Sequence, residues 1–183
     1  MAEVQVQVMQ LSAVFPKLDS SARPFLERIS ELEAATPRDP LVPSHGTFRP
    51  VQVLLNKGEI SFIDFDSFCQ SEQARDLAMF LSSLMTLGLT LSSFDEDKPS
   101  DQTIANPAHW EARFEQASLI CEQFLDAYQQ FQPVSRQRVA LWQALDLFHY
   151  VLSGWMKVKA GEISFLVKLL DRFLLASHLI DAR

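Results

Sequence analysis

The chain has 183 residues, 48% hydrophobic and 21% charged, a globular composition with length for one ordinary domain and its core. A net charge of −7 and a pI near 5.0 argue against a nucleic-acid or anionic-membrane surface, because either would ask for a basic face. Cys69 and Cys121 form no disulfide framework or metal spacing, and Met1-Ala2-Glu3-Val4 lacks the basic and apolar regions of a signal peptide, so a cytoplasmic setting is expected.

At the start, Val4, Val6 and Val8 alternate with glutamines, a period of two that predicts a half-exposed strand or arm over residues 1–19. Ser20 or Ser21 can cap a first helix with Pro24 in its opening turn. Phe25, Ile29 and Leu32 would share its inner face, and Pro37 would end it. Pro37 to Pro43 reads as a loop. A polar segment follows, Ser44-His45-Gly46-Thr47-Phe48-Arg49-Pro50, and then the apolar run Val51 to Leu55. The turn Asn56-Lys57-Gly58 separates that run from a second one, Ile60 to Phe65, so residues 51–65 predict a hairpin. Asp64 and Asp66 stand at its far end, beside the polar loop.

Beyond the hairpin the pattern turns helical, over 71–183. A helix is predicted from Ser71 to about Leu89. Leu77 to Phe94 carries no charge, which reaches the lower threshold for a membrane helix, but Ser82, Ser83, Thr86, Gly88, Thr90 and Ser92 favour a buried helix. Ser92 to Ala105 reads as a polar acidic loop, and Asn106-Pro107 as a helix start. Trp110, Phe114, Ala117, Cys121, Phe124 and Tyr128 form an apolar stripe that Pro133 stops. Ser135 opens a further helix with Val139, Trp142, Leu145, Phe148 and Leu152 inward, Gly161 breaks it, and Phe165 to Ile180 makes the last one. His109, His149 and His178 have no ligand spacing, and the aromatic stripes read as core.

The segment from Ser44 to Asp66, with Ala74-Arg75-Asp76-Leu77-Ala78 after it, resembles the aminoglycoside phosphotransferase and choline kinase-like family. That family's pattern runs H-G-D-x-x-x-x-N, hairpin, I-D-[WF], and later D-L-A. The similarity extends from about Ser20 to about Lys159. It implies a mainly α (α+β) fold: a protein-kinase-like C-terminal lobe over residues 20–183 with one hairpin, without the family's N-terminal lobe. The catalytic-loop equivalent is then 44–52.

By the same resemblance His45 shapes the loop, Thr47 takes the place of the catalytic aspartate, and Gln52 that of a magnesium-binding asparagine. Asp64 takes the magnesium-binding aspartate's place, and Asp76 braces the loop. Thr47 has no carboxylate to act as a base at neutral pH. Gln52 has an amide oxygen for magnesium, displaced by one methylene. Asp64 reads as a metal ligand or as a strand-end acid; Asp66 as a second oxygen donor or a turn acid. Arg49 could contact a phosphate or substrate, or pair internally with Asp64 or Asp66.

Magnesium and ATP are the implied cofactors, and a small-molecule acceptor, a homodimer or a separate N-lobe the candidate partners. No nucleic acid or membrane is expected. The leading functional expectation is a catalytically degenerate phosphotransferase-like domain, a pseudokinase with at most residual Mg-nucleotide binding. Two others stand beside it: an active ATP-dependent phosphotransferase on a small hydroxylated molecule when completed by an N-lobe, and a non-catalytic dimerising module.

Overall fold

The fold is mainly helical with two small antiparallel sheets, in a computed structural model that describes residues 2–14, 16–90, 107–156 and 160–180. The order begins with helices α1 (Ala2–Val14) and α2 (Pro16–Ala35), then strand β1 (Leu41–Ser44). A 3-10 turn (Pro50–Gln52), β2 (Val53–Asn56), β3 (Glu59–Phe62), a second 3-10 turn (Phe65–Ser67) and β4 (Cys69–Glu72) follow. Helices α3 (Gln73–Thr90), α4 (Pro107–Gln129), α5 (Arg136–Met156) and α6 (Ala160–Ile180) complete it. The chain divides into two units, one formed by residues 1–38 with 136–183 and the other by residues 39–135.

The first unit is helical. Helix α5 packs against α1, α2 and α6. Its core takes Ile29 from α2, Val139, Leu145, Phe148 and Leu152 from α5, and Leu169, Leu170 and Leu174 from α6. Phe25 and Phe148 meet with ring centroids 6.2 Å apart, and Arg28 donates to the Leu174 carbonyl at 2.9 Å. Burying each large aliphatic side chain contributes roughly 1.5–3 kcal/mol.

The second unit carries the hairpin, and α3 is its central element. The α3 residues Ala74, Leu77, Ala78, Leu81, Met85 and Leu89 are buried, as are Trp110, Phe114, Ala117, Cys121 and Leu125 of α4. Strand β1 pairs with β4 from Leu41↔Glu72 to Ser44↔Cys69. The β2–β3 hairpin pairs from Val53↔Phe62 to Asn56↔Glu59. Lys57 and Gly58 join it with φ values of 49° and 88°, both positive as a two-residue type I′ turn requires.

Several local expectations are corrected. Residues 2–14 are a helix, not a strand: the Val/Gln alternation is short, and Met9-Gln10-Leu11 continue it with good helix formers. Val8 is buried while Val6 is 46% exposed, so period two fails here. Helix α2 starts at Pro16 and encloses Pro24, instead of opening near it. The Pro37–Pro43 loop ends in a strand, and Ser71 belongs to β4, so α3 starts two residues later. The hairpin's second strand ends at Phe62, and α6 starts ahead of Gly161. The acidic loop and its neighbouring Asn106 lie outside the described residues. Among the described residues no helix is long and apolar enough to cross a membrane.

Candidate functional site

Gly46 decides how the loop after β1 runs. Its φ is +86°, and a Cβ built there would lie 2.1 Å from the Ser67 carbonyl oxygen, so no side chain fits. The turn brings the loop against the segment that follows β3. Asp76, in the first turn of α3, fixes it there. One carboxylate oxygen accepts the His45 N–H at 2.6 Å and the other accepts the Gly46 N–H at 2.9 Å. Charge-assisted bonds of this kind are about twice as strong as neutral ones.

His45 makes the next link. Its Nε2 lies 2.9 Å from the Ile63 carbonyl, which can only accept, so Nε2 carries the hydrogen and a neutral ring leaves a lone pair on Nδ1. Nδ1 is buried and has no partner among the described residues. The ring also packs on Phe65 at 4.6 Å and Phe48 at 5.7 Å. Phe48 stacks in turn on Phe80 of α3 at 5.0 Å. A backbone bond from Ile63 N–H to the Gln52 carbonyl, 3.1 Å, joins the loop to the hairpin's end a second time.

Gln52 sits at the corner so formed, and it is buried. Its Oε1 accepts the Arg49 backbone N–H at 2.8 Å, which fixes which end of the amide is oxygen. Its Nε2 donates to Asp64 Oδ2 at 2.8 Å and reaches Thr47 Oγ1 at 3.5 Å. Thr47, Gln52 and Asp64 therefore converge. Asp64 holds a left-handed backbone, φ 69° and ψ 53°, at the head of the second 3-10 turn. A non-glycine residue rarely adopts that conformation, although aspartate does so more readily than most, and such residues concentrate at functional sites.

Arg49 reaches α3, where its Nη1 donates to Ser83 Oγ at 3.2 Å. In the sequence Ser83 reads only as one of the polar residues of this helix, and no spacing or motif signals its contact with Arg49. Asp66 is exposed within the 3-10 turn; with β3 ended at Phe62, it does not continue a strand face with Asp64.

The donor set does not fit a magnesium ion held jointly by Gln52 and Asp64. An ion beside Asp64 Oδ2 would meet the amide hydrogens of Gln52, while the amide oxygen is turned to Arg49 N–H. Magnesium asks for oxygen ligands in near-octahedral array. Among the described residues no group of three or more His, Cys, Asp or Glu side chains is placed to hold a metal.

No protein-family model matches the sequence, and no curated protein matches it. Solved structures do. A glucosamine kinase in one crystal form superposes with a TM-score of 0.57 at 19% identity, covering 99% of this chain and 47% of that one. A glucosamine kinase in complex with glucosamine, ADP and inorganic phosphate gives 0.56 at 19%, covering 99% and 48%. The chain thus spans about half the length of these kinases and shares the fold of that half.

Proposed function

We propose that this chain is a phosphotransferase-fold domain whose loop–hairpin corner binds ligand without transferring phosphate. The observation that carries the reading is Gln52, whose NH2 group rather than its oxygen faces Asp64 and takes Oδ2, one of the two oxygens a magnesium ion would use. Thr47 adds to it. Phosphoryl transfer rests on positioned charge around the phosphate, with an acid to orient the attacking hydroxyl. A threonine hydroxyl 3.5 Å from an amide supplies neither, and a missing general base costs about 10²–10⁴ in rate. Nucleotide is the first ligand to try, and glucosamine the first acceptor, since the structurally similar kinase is named with both glucosamine and ADP.

The experiment mixes the purified chain with ATP, magnesium and glucosamine and follows ADP release. The expected result is none above spontaneous hydrolysis. Acceptor-dependent release that Asp64→Ala abolishes would overturn the reading and favour an active phosphotransferase, alone or completed by an N-lobe.

A second reading has its own observation. The hairpin exposes Leu55, Ile60 and Phe62 on one face, with Leu55 opposite Ile60, at 77% and 62%. Contiguous apolar surface of this kind marks interaction sites. On this reading the hairpin receives a second copy or a separate lobe. Light scattering across concentration tests it: association that Leu55→Ser with Ile60→Ser removes supports the module, and a strict monomer with no response to the pair excludes self-association.

A further inference from the structure

A cavity of about 590 Å³ lies in the unit of residues 39–135 and is lined in part by His45, Phe48, Phe65 and Asp76. Thr47, Arg49, Gln52 and Asp64 do not line it. Its floor and walls come from β1, the N-terminal turn of α3, the end of α4 with the residues after it, and the aromatic residues around the hairpin. The volume lies within the range of small-molecule sites.

The lining has a definite chemistry. Phe48, Phe62 and Phe65 supply aromatic faces, with Phe62 51% and Phe65 50% exposed. Among the polar groups Asp76 is the one carboxylate, while Tyr128, Gln73 and Gln132 carry donors as well as acceptors. Asp76 brings a carboxylate, and each of its oxygens has taken only one backbone N–H. His45 contributes to the wall through its ring, its Nδ1 being buried out of reach of solvent. Gln73 gives one N–H of its amide to the Pro133 carbonyl, which leaves its oxygen and a second N–H. No lysine or arginine lines the cavity. Tyr128 keeps its proton: burial first, then the charge of Asp76, pushes its hydroxyl above the ordinary tyrosine range. The site therefore has nothing cationic to meet an anion, and a carboxylate waiting for a donor.

We infer that this cavity is a second ligand site, distinct from the loop–hairpin corner, for a small aromatic amine: a ring against Phe48, Phe62 and Phe65 and a charged nitrogen toward Asp76. The Asp76 charge, with no lysine or arginine in the lining, disfavours phosphates and carboxylates there. Aromatic faces and a carboxylate together form a cation-selective surface, and a carboxylate bound to an ammonium is among the stronger hydrogen-bonded pairs. Because Asp76 and His45 also hold the loop, occupancy at this site bears directly on the groups that fix the loop's path.

The test is calorimetric titration of the full chain with phenethylamine, and separately with 3-phenylpropionate as its anionic counterpart. Saturable one-to-one binding of the amine is expected, with the acid weaker by about ten-fold or more, as the loss of one charged hydrogen bond implies. Gln132 is exposed on the cavity wall, where a substitution leaves the core untouched. Gln132→Arg should weaken the amine about ten-fold, while Gln132→Leu should leave it bound. The inference is overturned if phenethylamine gives no saturable heat, if the acid binds as well, or if the two Gln132 variants behave alike. Each readout is independent of ATP, so a failure here is distinguishable from a failure of the phosphotransferase-fold reading.

Discussion

Replacing Gln52 with leucine keeps nearly the same volume and removes every polar atom from the side chain. The buried amide now spends Oε1 on the Arg49 N–H and Nε2 on Asp64, both at 2.8 Å. A bond to a charged acceptor contributes about 1.5–3 kcal/mol and a neutral one about 0.5–1.5 kcal/mol. Asp64 is exposed, so water replaces much of its share on substitution. The net expectation is a loss of about 2 kcal/mol, or about 4–8 °C in Tm for a chain of this size. Differential scanning calorimetry reads the shift, and hydrogen exchange reads faster opening at the Arg49 amide. Gln52→Glu is the informative companion. It keeps an acceptor for Arg49 but sets a second carboxylate against Asp64, so it should be destabilised without divalent cation and recover in millimolar magnesium or calcium. Wild type should not respond. A leucine variant within 1 °C of wild type with unchanged exchange would refute the bonding scheme, and an equal magnesium response in wild type would refute the exclusion of the ion.

Further expectations follow from the same geometry. Gly46→Ala adds a methyl where the Ser67 carbonyl already stands and asks a left-handed φ of an L-residue, so its urea midpoint should fall by the equivalent of more than about 2 kcal/mol. Asp76→Asn keeps one acceptor for the loop and turns an NH2 group toward the other N–H, costing about 2 kcal/mol. It should also lower the apparent pKa of Tyr128, read by ultraviolet titration, because the charge that disfavours the phenolate is gone. The Cys121 thiol is pushed from 9.0 to about 12 by burial and then by Glu122, so alkylating reagents at pH 8 should modify Cys69 and spare Cys121. The native state holds that proton more tightly than the unfolded chain does. Its share of stability is therefore full below pH 9 and is lost as pH rises toward 12, and Cys121→Ala should flatten this part of the urea-midpoint profile.

Where demands are local, the sequence was readable. Lys57-Gly58 between two apolar runs announces a tight hairpin, because positive φ at both residues is a property of the turn alone. The inward faces of α4 and α5 follow from period 3.6, with Trp110, Phe114, Val139 and Phe148 buried. Long-range facts were not readable. Strand β4, Cys-Gln-Ser-Glu, has little strand propensity and exists through pairing with β1 about thirty residues away. The sequence also has no signal for the rotation of the Gln52 amide, which Arg49 N–H and Asp64 settle from opposite ends. Ser83 meets Arg49 only because α3 runs beneath the loop. At the N-terminus the expectation failed because a three-valine alternation is too short a sample to separate period two from a helix.

The division into two units has a consequence for how the chain comes off the ribosome. Residues 39–135 are continuous, so every strand and helix of their unit is present once Ser135 has emerged. The other unit is split between residues 1–38 and 136–183, and its early helices wait for α5 and α6. Bringing the two segments together across an open chain of about a hundred residues would cost about 4 kcal/mol in closure entropy. Prior folding of the intervening residues shortens that span to a fixed crossing. Synthesis order therefore favours the inserted unit first, and α1 and α2 lack the α5 surface they pack on until that helix has emerged.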